Sequence, residues 1–396
     1  LKKSCKHIDI KNPEIISPFV LECLNRHWRR KKFRRLICRF GFTEDEVQGY
    51  DESGNLSFLA TAAERISDYV AMAIATHTIP KFLPKASIRH DKTTGKIRLI
   101  GSETALQQCF DYVAVYACEE MWRRRFLPQQ CSSIKGRGQL YGMRLIRSYI
   151  KKDIRATRRA KRNRRRYTPK CKYFAKLDVK KCYPSIDKGI LLSKIKHDCG
   201  NDDLLYLWEE ILKSHGRLNV EKPYAGLLIG ALPSQWAAQL MMSFICRYAL
   251  TLDITHLVTF MDDMVVFGSN RRKLKKSIEK LREYAQDELH MTIKDNWQIK
   301  QLGETSVDMM GFVIHANGKV TIRARNFIHS RRLILRLHKR GWINAKSARR
   351  LTSYKGFFKY SDSRKVCRNI KVHAAFGKAQ KVISREEQNQ NDGLLR

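Results

Sequence analysis

Apolar and polar positions change their spacing several times along the chain. Residues 14–40, "EIISPFVLECLNRHWRRKKFRRLICRF", set apolar positions against a dense basic face, a helical pattern. The acidic, glycine-containing "TEDEVQGYDESGN" then reads as a break and a lobe boundary. Helical spacing resumes in "LATAAERISDYVAMAIATHT". In "KASIRHDKTTGKIRLIG" apolar and polar residues alternate on both sides of Thr93, Thr94 and Gly95, which predicts a β-hairpin. A helix is expected from Thr104 to Arg125, and "KYFAKLDVKKCYPSID" holds a short apolar-rich strand that reaches Asp178. "LPSQWAAQLMMSFICRYALTL" predicts a helix capped by Ser234 after Pro233. "HLVTFMDDMVVFG" joins two short β-type runs through Asp262 and Asp263, at or beside a hairpin turn. From Lys319 onward the pattern is helical, basic and punctuated by aromatic residues, with no internal repeat.

Charge changes this picture most. Lysine and arginine total 78 against 38 acidic residues, a net charge of +40 in 396 residues. A surface of that sign calls for a polyanion, and nucleic acid fits better than an anionic membrane because no run of about eighteen apolar residues is present to span a bilayer. Residues 151–170, "KKDIRATRRAKRNRRRYTPK", carry eleven basic residues and one acid. A like-charge block this dense repels itself and is expected to stay loose until a polyanion lies against it. Phosphate contacts need charge rather than geometry, so Arg155, Arg158, Arg159, Arg164 and Arg165 are candidate RNA contacts. No apolar secretory segment opens the chain, which points to a cytoplasmic protein. The eleven cysteines, an odd number without a C-x-x-C pair, read as reduced thiols, and the twelve histidines show no ligand spacing.

In so basic a chain, adjacent carboxylates between apolar runs need a reason. If the strand ending at Asp178 neighbours the hairpin of Asp262 and Asp263, three acids meet at one sheet edge. Such anions raise each other's pKa and destabilise the fold unless a cation sits among them. Lysine or arginine would serve, but hard divalent cations fit an oxygen-only site better. Two ions roughly 3.5 to 4 Å apart activate an attacking hydroxyl and stabilise the leaving oxygen of a phosphoryl displacement. The basic surface would then hold the polymer and the acidic pocket the ions.

These boxes, in this order, resemble a reverse transcriptase over most of residues 85–365. "FMDD" resembles the Y-x-D-D box, with Phe260 in place of tyrosine. "LDVKKCYPSID" resembles the first catalytic box, an aspartate followed five positions later by an aromatic, here Asp178 and Tyr183. "GKIRLIG" resembles the fingers strand that contacts the triphosphate, offering Lys96 and Arg98. "SSIKGRG" is similar to a segment before the first catalytic box of bacterial members, "MMGFVI" to the primer-grip hairpin around Gly311, and "TSYKGFFKYSDS" to the bacterial thumb segment S-Y-x-G-W-x-K-H. In place of Q-G-x-x-x-S-P the chain has "IGALPSQ", with Ile229, Gly230, Ser234 and Gln235. That form resembles diversity-generating retroelement enzymes, which copy a template RNA with frequent errors at adenines and work with a small accessory protein.

The resemblance implies an α+β right-hand polymerase. Its parts would be a basic helical N-terminal extension (1–75), fingers and palm (76–318, with the basic insertion 151–170), and a helical thumb and tail (319–396). The tail "EEQNQNDGLLR" is expected to fray, and no separate endonuclease, maturase or ribonuclease H domain is apparent. Asp178, Asp262 and Asp263, with Val179, would hold two Mg²⁺ ions, with Mn²⁺ as the substitute ion. Lys96, Arg98, Val179, Tyr183, Ile229, Gly230, Gln235 and Lys294 would surround the deoxynucleoside triphosphate. Tyr183 would exclude a 2′-hydroxyl, or else be an ordinary core aromatic, and Lys294 would protonate the leaving pyrophosphate. Ser234 and Gln235 would contact the nucleotide or only orient the helix behind it. Trp122, Trp342, Tyr354, Phe357 and Phe358 would stack on bases or fill helical cores. The expected function is an RNA-directed DNA polymerase of a bacterial or phage retroelement, binding RNA template and cDNA primer. Two alternatives stand beside it: a defence-associated enzyme using a dedicated noncoding RNA, and a non-catalytic RNA-binding scaffold.

Overall fold

The computed structural model describes residues 3–90, 95, 97–216 and 224–394. In chain order the first elements are α1 (Pro13–His27), α2 (Lys31–Arg39), α3 (Glu44–Ser53), α4 (Phe58–Ala75), β1 (Lys85–His90), β2 (Ile97–Ser102), α5 (Ala105–Ala117), α6 (Glu119–Arg125) and α7 (Gln139–Arg162). There follow β3 (Tyr173–Asp178), α8 (Cys182–Ser185), α9 (Lys188–Asp198), α10 (Asp202–Gly216), α11 (Leu232–Thr251), β4 (His256–Phe260), β5 (Asp263–Gly268) and α12 (Arg271–Leu289). The last are β6 (Lys300–Gln301), β7 (Val307–Met309), β8 (Phe312–Ile314), β9 (Val320–Ile322), α13 (Ala324–Arg340), α14 (Ala345–Thr352), α15 (Lys355–Tyr360), α16 (Arg364–Asn369) and α17 (Val372–Leu394). The chain is α+β, and no helix among the described residues is long and apolar enough to cross a membrane.

Two compact units emerge, each assembled from separate stretches. The first comprises Leu1–Pro128, Asp178–Tyr248 and Lys280–Lys294; the second Gln129–Leu177, Ala249–Glu279 and Asp295–Arg396. They cut across the three consecutive segments expected from the sequence, because packing follows the apolar faces and not chain order.

The first unit is mainly helical. α1 is started by Asn12, whose side chain accepts from the Glu14 amide, and by Pro13 in its first turn. It buries Ile16, Val20 and Leu24. The supposed break at 43–55 is instead helix α3. Thr43 and Glu46 form a reciprocal capping box, and Gly54 ends the helix at φ +69°. The expected helix from Thr104 to Arg125 is interrupted at Cys118, giving α5 and α6. The hairpin forms as expected, Lys85 facing Ser102 and His90 facing Ile97, while its turn at 91–94 lies outside the described residues.

The second unit holds a four-stranded sheet in the order β4-β5-β3-β6 and a three-stranded sheet β7-β8-β9. Both pack on one face of α7: Met143, Ile146, Tyr149 and Ile150 share a core with Val258, Val265, Phe267 and Phe312. A separate core of Leu333, Ile334, Leu351, Phe358 and Phe376 holds the C-terminal helices together. Two expectations need correction. The tail from Lys319 begins with β9, the third strand of the small sheet, and becomes helical only at Ala324. At its other end α17 continues to Leu394, so the described part of the polar terminus is helical and not frayed.

Candidate active site

In the second unit, β4 and β5 are antiparallel, and Phe260 facing Asp263 leaves Met261 and Asp262 as a two-residue loop. Met261 has φ +56°, a left-handed conformation that this first loop position requires and that glycine usually supplies. A side chain there costs about 1–2 kcal/mol, so the turn needs outside support. Its amide donates to the Ser132 hydroxyl at 2.8 Å, and Ser132 is buried. Ser132 in turn belongs to a segment laid along β4: Thr259 N–H donates to the Gln129 carbonyl and Cys131 N–H to the Thr259 carbonyl, both at 2.9 Å. The "SSIKGRG" motif therefore begins at a residue that props the acidic turn, a role that the sequence did not reveal. Asp262 and Asp263 are half-buried, and the Asp262 carboxylate has no hydrogen-bond or ion-pair partner among the described residues. The neighbour of β5 in the sheet is β3, whose last residue is Asp178.

Asp178 itself belongs to the first unit, together with Lys294. The Lys294 ammonium lies 2.8 Å from both carboxylate oxygens, and its backbone amide donates to the Asp178 carbonyl at 2.9 Å. Val179, buried, bridges to Ile293, and the Lys180 amide donates to the Thr292 carbonyl. The cation expected beside this acid is thus a lysine on a paired segment. Acids with no such access behave differently in this unit. Burial and the neighbouring Glu103 hold Asp111 well above the usual carboxylate range.

The same unit assembles most of the expected nucleotide residues. Tyr183, on α8, is half-buried, and its carbonyl accepts from the Leu227 amide at 2.9 Å. The loop that follows carries Ile229, half-exposed, and Gly230 at φ +106°. It is seated on β2: a Cβ on Gly230 would stand 3.5 Å from Ile100 Cγ2, and one on Gly101 only 2.5 Å from Leu228 Cδ2. Gly101, which ends "GKIRLIG", is therefore a close-approach glycine that sequence reading left without a role. Gln235 lies near the start of α11, half-buried. Ser234 is no cap, because α11 already begins at Leu232 with Pro233 in its first turn; the hydroxyl is buried without a partner among the described residues. The Arg98 backbone pairs with Arg89 in the hairpin, and Lys96 lies outside the described residues.

The basic block is not loose. α7 runs through it to Arg162, and the spacing of Arg155, Arg158, Arg159 and Arg162 places them on one helical face. Asp153, the block's one acid, explains the order. It is buried, accepts from the Tyr167 hydroxyl and the Cys171 amide at 2.6 Å each, and so ties down the segment carrying Arg164 and Arg165. Gly311 follows Met310 in the two-residue loop between β7 and β8, both at positive φ (+82° and +54°), the backbone of a type I′ hairpin. Trp122 is not available for bases: it is 1% exposed, donates to the Val115 carbonyl and packs against Trp208 and Trp236. Phe358 is likewise core, and Phe357 packs on Phe312, whereas Trp342 is 63% exposed.

No three His, Cys, Asp or Glu side chains among the described residues are gathered to hold a metal ion. The donor chemistry still suits hard divalent cations: Asp262 is an unpartnered carboxylate beside a second one, and Asp178 already holds a cationic group. The chain matches the family model "Reverse transcriptase (RNA-dependent DNA polymerase)" over residues 83–314, more than half its length. A search of curated proteins finds no match. Among solved structures, the chain is similar to telomerase from Candida albicans with a TWJ fragment of telomeric RNA, at 11% identity over 76% of this chain and 61% of that one, TM-score 0.40. It is also similar to apo telomerase from Candida tropicalis, at 10% identity over 94% and 81%, TM-score 0.46. A form of that protein truncated from the C-terminal domain matches at 13% identity over 81% and 84%, TM-score 0.41. The match to the family model, spanning the acidic turn, the Asp178 strand and the loop before α11, makes this chain a member of the reverse transcriptase family, with that family's right-hand polymerase fold and RNA-dependent DNA polymerase activity.

Proposed function

We propose that the chain is the polymerase of a bacterial or phage retroelement of the diversity-generating type, copying an RNA template into cDNA in the cytoplasm with a small accessory protein. The observation that carries the catalytic part is the propped Met261–Asp262 turn, which presents, at a cost in backbone strain, a carboxylate without a partner among the described residues. Asp178, Asp262 and Asp263, with Val179, would hold two Mg²⁺ ions, or Mn²⁺ in their place. Bound there, the ions would supply a lowered pKa at the primer 3′-hydroxyl and positive charge at the α-phosphate. Lys96 and Arg98 would grip the triphosphate, Arg98 through two parallel hydrogen bonds. Tyr183 would pack beneath the sugar and refuse a 2′-hydroxyl. Lys294, within reach of Asp178, would deliver the proton to the departing pyrophosphate. Ile229 supports the subtype: where a glutamine would hydrogen-bond the incoming nucleotide, an apolar side chain offers no such discrimination.

Purified protein with template–primer, deoxynucleotides and magnesium is expected to extend the primer, and Asp262→Ala to abolish extension. An active Asp262→Ala variant would refute the site. Sequencing the cDNA tests the subtype: errors concentrated at template adenines support it, whereas repetitive or untemplated products point to a defence-associated enzyme.

A further inference from the structure

The second unit contains a cleft that the polymerase site does not use. α7 forms one wall with Met143, Arg144 and Arg147, and the run from Lys355 to Phe376 forms the other. Its volume is about 770 Å³, within the roughly 300–1,000 Å³ of sites that enclose organic ligands. Neither Asp178, Asp262 nor Asp263 lines it, nor does any residue of the β7–β8 hairpin.

Its chemistry is divided between floor and rim. Met143, Phe358, Val372 and Phe376 make a buried apolar floor. Arg144, Lys355, Lys359, Arg364, Arg368 and His373 stand exposed around it, and none has an acidic partner among the described residues. Arg144 and Lys359 both lie 5.4 Å from the ring centroid of Tyr360, so two of these cations are held in place without neutralisation. The single acid, Asp362, is already engaged. It takes Arg147 at 3.1 Å and the Val320 amide at 2.8 Å, and Arg147 also donates to the Gly318 carbonyl at 2.9 Å. That clamp ties one wall to the other and leaves the rim cations unspent.

Some surface cations are paired locally, Arg26 with Glu22, Arg123 with Glu119, Arg124 with Glu120 and Lys213 with Glu209, whereas those of this rim surround an apolar floor. Collecting unpaired cations around an apolar floor costs stability through self-repulsion, and a ligand with regularly spaced negative charges and flat apolar groups removes that cost. A single nucleic-acid strand has both, with phosphates for the rim and bases for the floor. A folded acidic protein would offer carboxylates, but its aromatic groups are mostly packed in its own core and lack the regular spacing of bases along a phosphate chain.

We propose that this cleft is a second nucleic-acid site, which holds a single-stranded stretch of RNA outside the template–primer being copied. The choice of RNA over DNA rests on the polymerase reading above; the cleft's capacity for a strand does not.

Fluorescence anisotropy with a single-stranded RNA of roughly a dozen nucleotides tests it, with saturating template–primer present to occupy the copying site. The Lys359→Ala/Arg364→Ala/Arg368→Ala variant is expected to bind at least about tenfold more weakly, and the slope of log affinity against log salt to fall by about 2, at roughly 0.7 per lost phosphate contact. Lys378→Ala/Lys381→Ala/Arg385→Ala, an equal charge loss on exposed positions of α17, is expected to change affinity less than about twofold. Extension of a short preformed template–primer is expected to be unchanged in both. Equal weakening in both variants, displacement of the RNA by template–primer, or loss of extension together with binding overturns the proposal, and a DNA strand of the same sequence binding more tightly than RNA overturns the choice of RNA. Binding is read without nucleotides or magnesium, so a protein that fails to extend any primer would sink the polymerase reading and leave this measurement standing.

Discussion

Ser132→Ala isolates the support beneath the acidic turn. The substitution removes only the hydroxyl that accepts the Met261 amide at 2.8 Å. A net hydrogen bond of this kind is worth about 1 kcal/mol, and an amide left without an acceptor costs somewhat more. Met261 remains in a left-handed conformation that by itself costs about 1–2 kcal/mol, so the turn has an incentive to relax once the prop is gone. The expected loss of stability is therefore modest, about 1–2 kcal/mol, while the functional loss is larger. A shift of about 1 Å in a catalytic group can cost on the order of a hundredfold in rate, and steady-state primer extension should fall about ten- to a hundredfold through kcat. Adding Met261→Gly should recover part of that loss, because glycine takes φ +56° without strain, and Ser132→Thr, which keeps the hydroxyl, should stay near the parent. An extension rate within twofold of the parent in Ser132→Ala would show that the hydrogen bond does not position the turn. A loss that Met261→Gly leaves untouched would show that Ser132 acts by another route.

Three further outcomes follow from the packing. Gly311→Ala should destabilise the protein by about 2–4 kcal/mol, since the new methyl meets Phe357 Cε1 at 2.5 Å in a backbone at φ +82°; an unfolding free energy from guanidinium titration within about 1 kcal/mol of the parent would mean that Phe357 moves aside freely. Asp153→Ala removes two hydrogen bonds to a buried carboxylate, about 3–5 kcal/mol together. Amide exchange at residues 163–171 should rise far more than in β4, and unaltered protection there would contradict the tether. Burial lowers the pKa of His215 from 6.5 to about 3, and neither ring nitrogen has a partner among the described residues. The folded state keeps this residue neutral while the unfolded chain takes up a proton below about pH 6.5, so stability falls with pH, by about 2 kcal/mol at pH 5. His215→Leu should remove that share of the slope between pH 7 and 5, and an identical slope in the variant would rule it out.

The sequence was most legible where a pattern is local. The hairpin of β4 and β5, the strand ending at Asp178 and the β1–β2 pair all follow from short apolar runs and turn residues, and the ordered motifs led to the family. Helix α3 was missed although Thr43 and Glu46 spell its capping box, because acidity and Gly49 outweighed the cap in the reading. Ser234 was misassigned for the opposite reason: a good capping residue was credited although Pro233 had already opened the helix. What no local pattern supplies is the side chain that reaches across. Ser132 beneath Met261, Lys294 on Asp178 and Asp153 under Tyr167 are separated from their partners by 129, 116 and 14 positions. The residue types permit such contacts; only the packing selects them.

Charge shows the same limit in its sharpest form, because density along the chain and density in space are different quantities. Residues 151–170 are the most basic stretch of the sequence, and self-repulsion made a loose segment the natural expectation. One buried carboxylate and an apolar face on α7 outweigh that repulsion and turn the block into an ordered arginine stripe. The cleft beside Tyr360 adds Arg144 of α7 to Lys355, Lys359, Arg364 and Arg368, which lie far further along the chain. The stripe is convex and exposed, suited to phosphates alone and hence to any polyanion. The cleft adds an apolar floor that accepts bases, so it distinguishes a single strand from a duplex whose bases are already stacked. If both surfaces serve this polymerase, double-stranded RNA should compete for the stripe and leave the cleft available, and the two affinities should separate on titration with duplex.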